Sequence, residues 1–212
     1  MSKAYSFVRW PLRSALRTTV STRFSLFHDP FLGKEQTMPY DVLIDPGHGG
    51  ADSGAVNSKT NTLEKNLNMD SSLSVEYFLG QRGRTTKMTR TTDVDIDNYQ
   101  RAYQGVREGA KIFVSVHHDS AEVGRSLVYH DNKAESIRLA NKVAGYMGGI
   151  SVVSMNQSPH GRLYIADFTT GPSILIEMGP TRPYTRDERI ARCQLRPTPS
   201  RTSSPTTSRK LS

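Results

Sequence analysis

Five side chains in this sequence stand where they could hold a metal ion or move a proton. His48 follows an apolar run in DVLIDPGHGG (41–50), and Glu64 is the second residue of the block LEKNLN (63–68). His117 and His118 end KIFVSVHH (111–118), and Glu177 follows the apolar SILI of PSILIEMG (172–179). Two imidazoles with one or two carboxylates are the inventory of a catalytic zinc site, which has three protein ligands and one open position for water. Hydrolysis at such a site also needs a carboxylate outside the metal shell, as a general base. Residue types alone leave open which of the adjacent histidines is the ligand and which carboxylate is the base. Each residue also has a plainer reading by itself. His48 suits a turn, Glu64 suits the first turn of a helix through the helix dipole, and the paired histidines suit an exposed strand end. Glu177 resists such a reading, because an unpaired carboxylate behind three apolar residues is costly to bury.

These groups can meet only if the chain brings several strand ends to one edge. DVLID (41–45) is a short apolar run stopped by Pro-Gly, a buried strand. Leu63, Leu67, Leu73, Tyr77 and Phe78 share one helical face over 62–83, with Thr62 as the expected cap and Gly83 as the stop. TTKMTR (85–90) reads as a strand and 95–110 as a helix, with Asp95 or Asp97 near its N-terminus. KIFVSVHH is the clearest strand, with Ile112, Val114 and Val116 on one face. RSLVYH (125–130), GRLYIAD (161–167) and PSILIEMG complete the strands, and a helix over 133–149 stops at Gly148-Gly149. Strands alternating with helices predict a single α/β domain, a mostly parallel sheet with helices on both faces. In such sheets reactive groups gather at the carboxyl ends of the strands.

The net charge of +8 suggests nucleic acid until its distribution is considered. Residues 1–37 carry six basic and two acidic side chains, and 182–212 carry eight and two, so the middle of the chain is close to neutral. A nucleic-acid groove needs its charge on the folded part, so no specific nucleic-acid partner is expected. The flanks divide the chain into a basic, disordered extension (1–37), a domain (38–190) and a Pro/Ser/Thr/Arg tail of low complexity (191–212). The single cysteine, Cys193, excludes a disulfide framework within one chain. No run of residues is apolar enough to span a bilayer, and no secretory signal is legible. The acid-free, Arg/Ser-rich N-terminus has the composition of a transit peptide, or is a plain extension ahead of a domain starting at Met38.

Taken in order, LIDPGHGGADSGAV, LEKNLN, TRTTD, FVSVHHDS and ILIEMG resemble the zinc-dependent N-acetylmuramoyl-L-alanine amidases of the type-3 class, over about Asp41 to Gly179. The resemblance implies a twisted sheet of the kind described above. It also implies peptidoglycan as partner and one Zn²⁺ per chain, in a monomer acting at the cell wall, in the periplasm or outside the cell. Matched residue by residue, His48, Glu64 and His117 are the zinc ligands and Glu177 the catalytic base. Arg90, Asp93 and Arg101 fall in scaffold positions. His118 stands where the family has a small residue, and is a candidate substrate contact or substitute ligand; His130 and His160 match no site. After Glu177 the family continues into a closing helix, whereas this chain has GPTRPYTRDERIAR, so that helix is expected to be lost. A relative of the same fold that binds peptidoglycan without turning it over is the alternative reading.

Overall fold

The structure, a computed structural model, describes residues 40–120 and 124–188. The basic extension 1–37, the tail 191–212 and Cys193 lie outside these residues. The strands are β1 (Val42–Pro46), β2 (Val56–Asn57), β3 (Thr62–Leu63), β4 (Thr86–Met88), β5 (Ile112–Asp119), β6 (Ser126–His130), β7 (Ser151–Ser154) and β8 (Ser173–Pro180). Six of them form one sheet in the order β4-β1-β5-β8-β6-β7, while β2 and β3 pair separately. β4, β1, β5 and β8 run parallel; β6 is antiparallel to β8 and parallel to β7.

Helices cover both faces. On one side α1 (Glu64–Gly80) and α3 (Ala134–Tyr146) place Met69, Phe78, Leu139 and Val143 against Ile44, Val116, Val128 and Ile176. On the other side α2 (Asn98–Arg107) and a 3₁₀ turn at Tyr164–Asp167 bury Ala102 and Ile165 with Leu43, Phe113, Phe168 and Leu175. β1 lies between two strands and under both layers, which is why all five of its residues are buried. The expected α/β fold, a single mostly parallel sheet, is present.

Local boundaries differ from expectation for identifiable reasons. α1 begins at Glu64 with no side-chain cap, because Thr62 and Leu63 are taken up by pairing with β2. Carbonyls of the preceding loop cap it instead: the Glu64 and Lys65 amides donate to Ala55 and Ser53 at 2.9 and 3.1 Å. The helix ends at Gly80, three residues early. α2 is capped by Asp97, whose carboxylate accepts from the Tyr99 amide at 2.9 Å. The stretch 161–167 is not a strand. It turns as a 3₁₀ helix around the buried Ile165, and the sixth strand is the short Ser151–Ser154, whose partly exposed residues carry little apolar signal.

Two consequences matter for chemistry. Along β5 alternate side chains face opposite layers, so His117 shares the α2 side with Phe113, and His118 shares the α1 side with Val116. β8 lies in register with β5 so that His117 and Glu177 are direct cross-strand partners.

Candidate metal centre

His48, Glu64 and His117 converge above the ends of β1 and β5, each offering one donor atom, all within 4.8 Å of one another. Glu64 is the hub. One carboxylate oxygen lies 3.1 Å from His48 Nε2 and the other 3.0 Å from His117 Nδ1. The same oxygens accept from the Ala55 and His118 amides at 2.8 and 3.1 Å and from Asn68 Nδ2 at 3.2 Å. Burial alone would raise the Glu64 pKa, but the two imidazoles outweigh it and hold the carboxyl far below its ordinary range. Burial likewise pulls the His48 imidazole down, while Glu64 and Asp52 outweigh it and hold its pKa at about 9.

The backbone is shaped around these rings. A Cβ on Gly47 would lie 2.2 Å from His117 Nε2, so only glycine lets that ring stand where it does. His48 itself has φ 59, a left-handed conformation rare for a side chain of this size and concentrated at functional sites. Asp52 completes the first ligand: its carboxylate sits 2.7 Å from His48 Nδ1. That contact fixes the Nδ1–H tautomer and leaves Nε2 as the donor facing Glu64. Sequence reasoning passed over Asp52. The available signal was a carboxylate four residues after the histidine, inside a loop of small residues.

Glu177 stands beside the cluster in a different environment. One of its carboxylate oxygens is buried with no hydrogen-bond partner. Burial pushes its pKa from 4.5 to about 7, with His117 pulling down and Glu64 and Asp119 pushing up. A carboxyl poised near neutrality beside a candidate metal-ligand set is what a general base requires. A cleft of about 450 Å³ contains all four residues, with His160, Arg162 and Tyr164 along its lining.

His118, the candidate substrate contact or substitute ligand, borders the same cleft but lies outside the His48–Glu64–His117 group. It is only 3% exposed; its Nδ1 lies 2.8 Å from Asn68 Oδ1 and its ring 5.9 Å from that of Tyr184. Strand alternation turns it under α1, away from His117. Its contribution to the centre is its main-chain amide, given to Glu64. His130 is likewise buried, accepting from the Asn132 amide at 3.1 Å.

The donor set fits zinc: two imidazoles and one carboxylate, the usual three protein ligands of a catalytic site, with one imidazole already oriented by an outer carboxylate. The sequence matches the N-acetylmuramoyl-L-alanine amidase family over residues 42–195. It is 29% identical over 144 residues to the probable cell wall amidase LytH of Staphylococcus aureus, covering 65% of this chain and 47% of that protein. The chain thus spans about half the length of the curated relatives it matches. Among solved structures it resembles the catalytic domain of CwlV, an N-acetylmuramoyl-L-alanine amidase from Bacillus (Paenibacillus) polymyxa, with TM-score 0.64 and 26% identity over 73% of this chain and 92% of that one. The amidase AmiC2 of Nostoc punctiforme is similar at TM-score 0.60 and 26% identity, over 73% and 91%.

Proposed function

The chain belongs to the N-acetylmuramoyl-L-alanine amidase family, and from that premise we propose that it hydrolyses the amide between N-acetylmuramic acid and L-alanine in peptidoglycan, with one Zn²⁺ per chain. The observation that carries this reading is Glu177. Its buried, unpartnered carboxylate oxygen is held across the β5–β8 ladder from His117.

In this reading His48 Nε2, a Glu64 oxygen and His117 Nδ1 hold the ion. Zn²⁺, when bound, supplies Lewis-acid polarisation of the amide carbonyl and acidifies water to near neutrality. Glu177 takes a proton from the attacking water as that water adds to the lactyl carbonyl carbon. It then gives the proton to the alanine nitrogen, without which the amine cannot leave. Asp52 keeps His48 in the tautomer that can bind metal, and the His118 amide and Asn68 keep Glu64 aimed between the rings. The site of action is the cell wall, in the periplasm or outside the cell.

The test is digestion of purified cell wall with mass analysis of the products. Release of peptides with a free L-alanine amino terminus, inhibited by EDTA and restored by Zn²⁺, is expected. New sugar reducing ends in place of free amino termini would replace this reading with a glycosidase. Intact wall together with retained wall binding would make the chain a non-catalytic relative.

A further inference from the structure

We propose that Arg90 and Arg101 are positioning residues of the metal centre: two buried guanidinium groups that hold three consecutive carbonyls of the β1–His48 loop and so set His48 before any metal arrives. This rests on the metal-centre reading above.

The need for them follows from the ladder. On one edge β1 is paired with β5 to its end, and the Gly47 amide still donates to the Val116 carbonyl at 3.0 Å. On the other edge β4 stops at Met88, and the last main-chain bond is from the Thr89 amide to the Ile44 carbonyl at 3.0 Å. Beyond that point the carbonyls of Pro46, Gly47 and His48 have lost their strand neighbour, and buried carbonyls must find donors. Arg90, the next residue, supplies donors to the first two with its side chain. Its Nε donates to the Pro46 carbonyl at 2.9 Å and its Nη2 to the Gly47 carbonyl at 3.0 Å. Nη2 also reaches the Lys65 carbonyl at 2.9 Å, tying the loop to the first turn of α1, next to Glu64.

Arg101 comes from α2 and closes the frame. Its Nη1 donates to Asp45 Oδ1 and to the Pro46 carbonyl at 2.8 and 2.9 Å, and its Nη2 to the His48 carbonyl at 2.9 Å. Asp45 is held in turn by Thr89 Oγ1 and Ser115 Oγ at 2.6 and 2.7 Å. Both arginines are 4% exposed. The Arg90 guanidinium donates to the main-chain carbonyls of Pro46, Gly47, Lys65 and Thr92. A guanidinium presents five donors in a rigid fork, whereas a lysine keeps the charge and loses the fork. For Arg90 the frame is therefore geometric, while Arg101 adds a buried ion pair with Asp45, and together they bear on the one candidate ligand whose backbone is left-handed.

The experiment uses the full chain, stripped of metal, with Co²⁺ alone as probe and visible absorption as readout. Arg90→Lys and Arg101→Lys are expected to keep the wild-type far-UV dichroism, to bind Co²⁺ roughly 10- to 100-fold more weakly, the usual effect of losing a ligand's outer support, and to alter the absorption bands. Variants that fold and bind Co²⁺ with wild-type affinity and spectrum overturn the proposal. Wild-type protein that binds no Co²⁺ removes the metal centre itself, a different failure. If the lysine variants do not fold, hydrogen exchange on the wild type decides. The Gly47 and Gly49 amides are expected to be protected without metal, to within about tenfold of their protection with Zn²⁺. Free exchange in the metal-free protein, with protection appearing only when Zn²⁺ is added, overturns it.

Discussion

Glu177 carries a conflict that belongs to a single residue. In the proposed role its ionised form is the useful one, and the fold disfavours that form by burying an oxygen without a partner. With a folded pKa near 7 against 4.5 for the free side chain, the metal-free protein loses stability as pH rises from about 4.5 to 7, because the unfolded chain ionises first. Glu177→Gln removes that penalty. The variant is expected to be about 1–3 kcal/mol more stable than the wild type at pH 8 and no more stable at pH 4, by denaturant unfolding without metal. Equal stability gains at both pH values would mean that packing, not ionisation, is responsible. On the proposed mechanism activity is expected to move the other way: Glu177→Gln should cost roughly 10²–10⁴ in turnover on cell wall with Zn²⁺ still bound. In the wild type the acid limb of kcat/KM is expected at or below pH 7, since a bound cation lowers the pKa further, and a limb well above pH 7 would exclude Glu177 as its source. Asp52 gives a second residue-scale prediction. Asp52→Asn keeps the size but loses the charge on His48 Nδ1–H, and metal affinity is expected to fall roughly 10- to 100-fold, read by metal titration. An unchanged affinity would reduce the 2.7 Å contact to a surface pair.

At the scale of elements, the loop between β1 and α1 does most of the shaping, and two glycines separate its two demands. Gly54 and Gly83 have nearly the same backbone, φ +62 and φ +69. A Cβ at Gly83 meets nothing within 4 Å, whereas one at Gly54 would lie 2.5 Å from both Glu64 Oε2 and His48 Cδ2. Alanine at either position is expected to cost about 1 kcal/mol or more in backbone strain. Only Gly54→Ala should also weaken metal binding; if Gly83→Ala does so equally, the loss is global rather than local to the ligands. This contrast also marks what was legible beforehand. His48, His117 and Glu177 stood out as candidates because apolar runs stop there at a polar residue, whereas Glu64, at a helix start, and the role of each came from the family resemblance. The 3₁₀ turn at Tyr164–Asp167 could not be foreseen, because GRLYIAD alternates like a strand and only tertiary burial of Ile165 decides otherwise. The start of α1 was missed because its cap comes from Ser53 and Ala55, loop carbonyls with no sequence signature. Residue type alone left His117 and His118 equivalent, because register chooses which of two adjacent histidines joins His48 and Glu64.

For the whole molecule, the site and the fold share one energy balance, and pH sets its sign. Past β8 the described chain turns back at Thr181, buries Tyr184 against His118 and begins a helical turn at Arg186–Glu188. The expected loss of the closing helix rested on 179–192; the described part, to Glu188, already enters that helical turn, and the remainder lies outside the described residues. Within the described chain, the metal-free centre is held together by protons. His48, with its pKa raised from 6.5 to about 9, contributes stability that is fully present below pH 6.5 and is lost as pH rises through 9. Metal needs the same imidazole neutral, so protons and Zn²⁺ compete for it. The stabilisation from a metal at a free concentration of 100 times its Kd is about 2.7 kcal/mol, which for a domain of this size is a rise in Tm of roughly 5–10 °C. Because affinity climbs as His48 deprotonates, the rise in Tm at one fixed free Zn²⁺ concentration is expected to be small at pH 6 and to grow steadily toward pH 9. EDTA should reverse it, and Glu64→Ala should abolish it. Thermal scans with and without buffered Zn²⁺ at pH 6, 7, 8 and 9 measure this directly. A metal-induced shift that is the same at every pH would mean that Zn²⁺ binds somewhere other than the His48–Glu64–His117 centre.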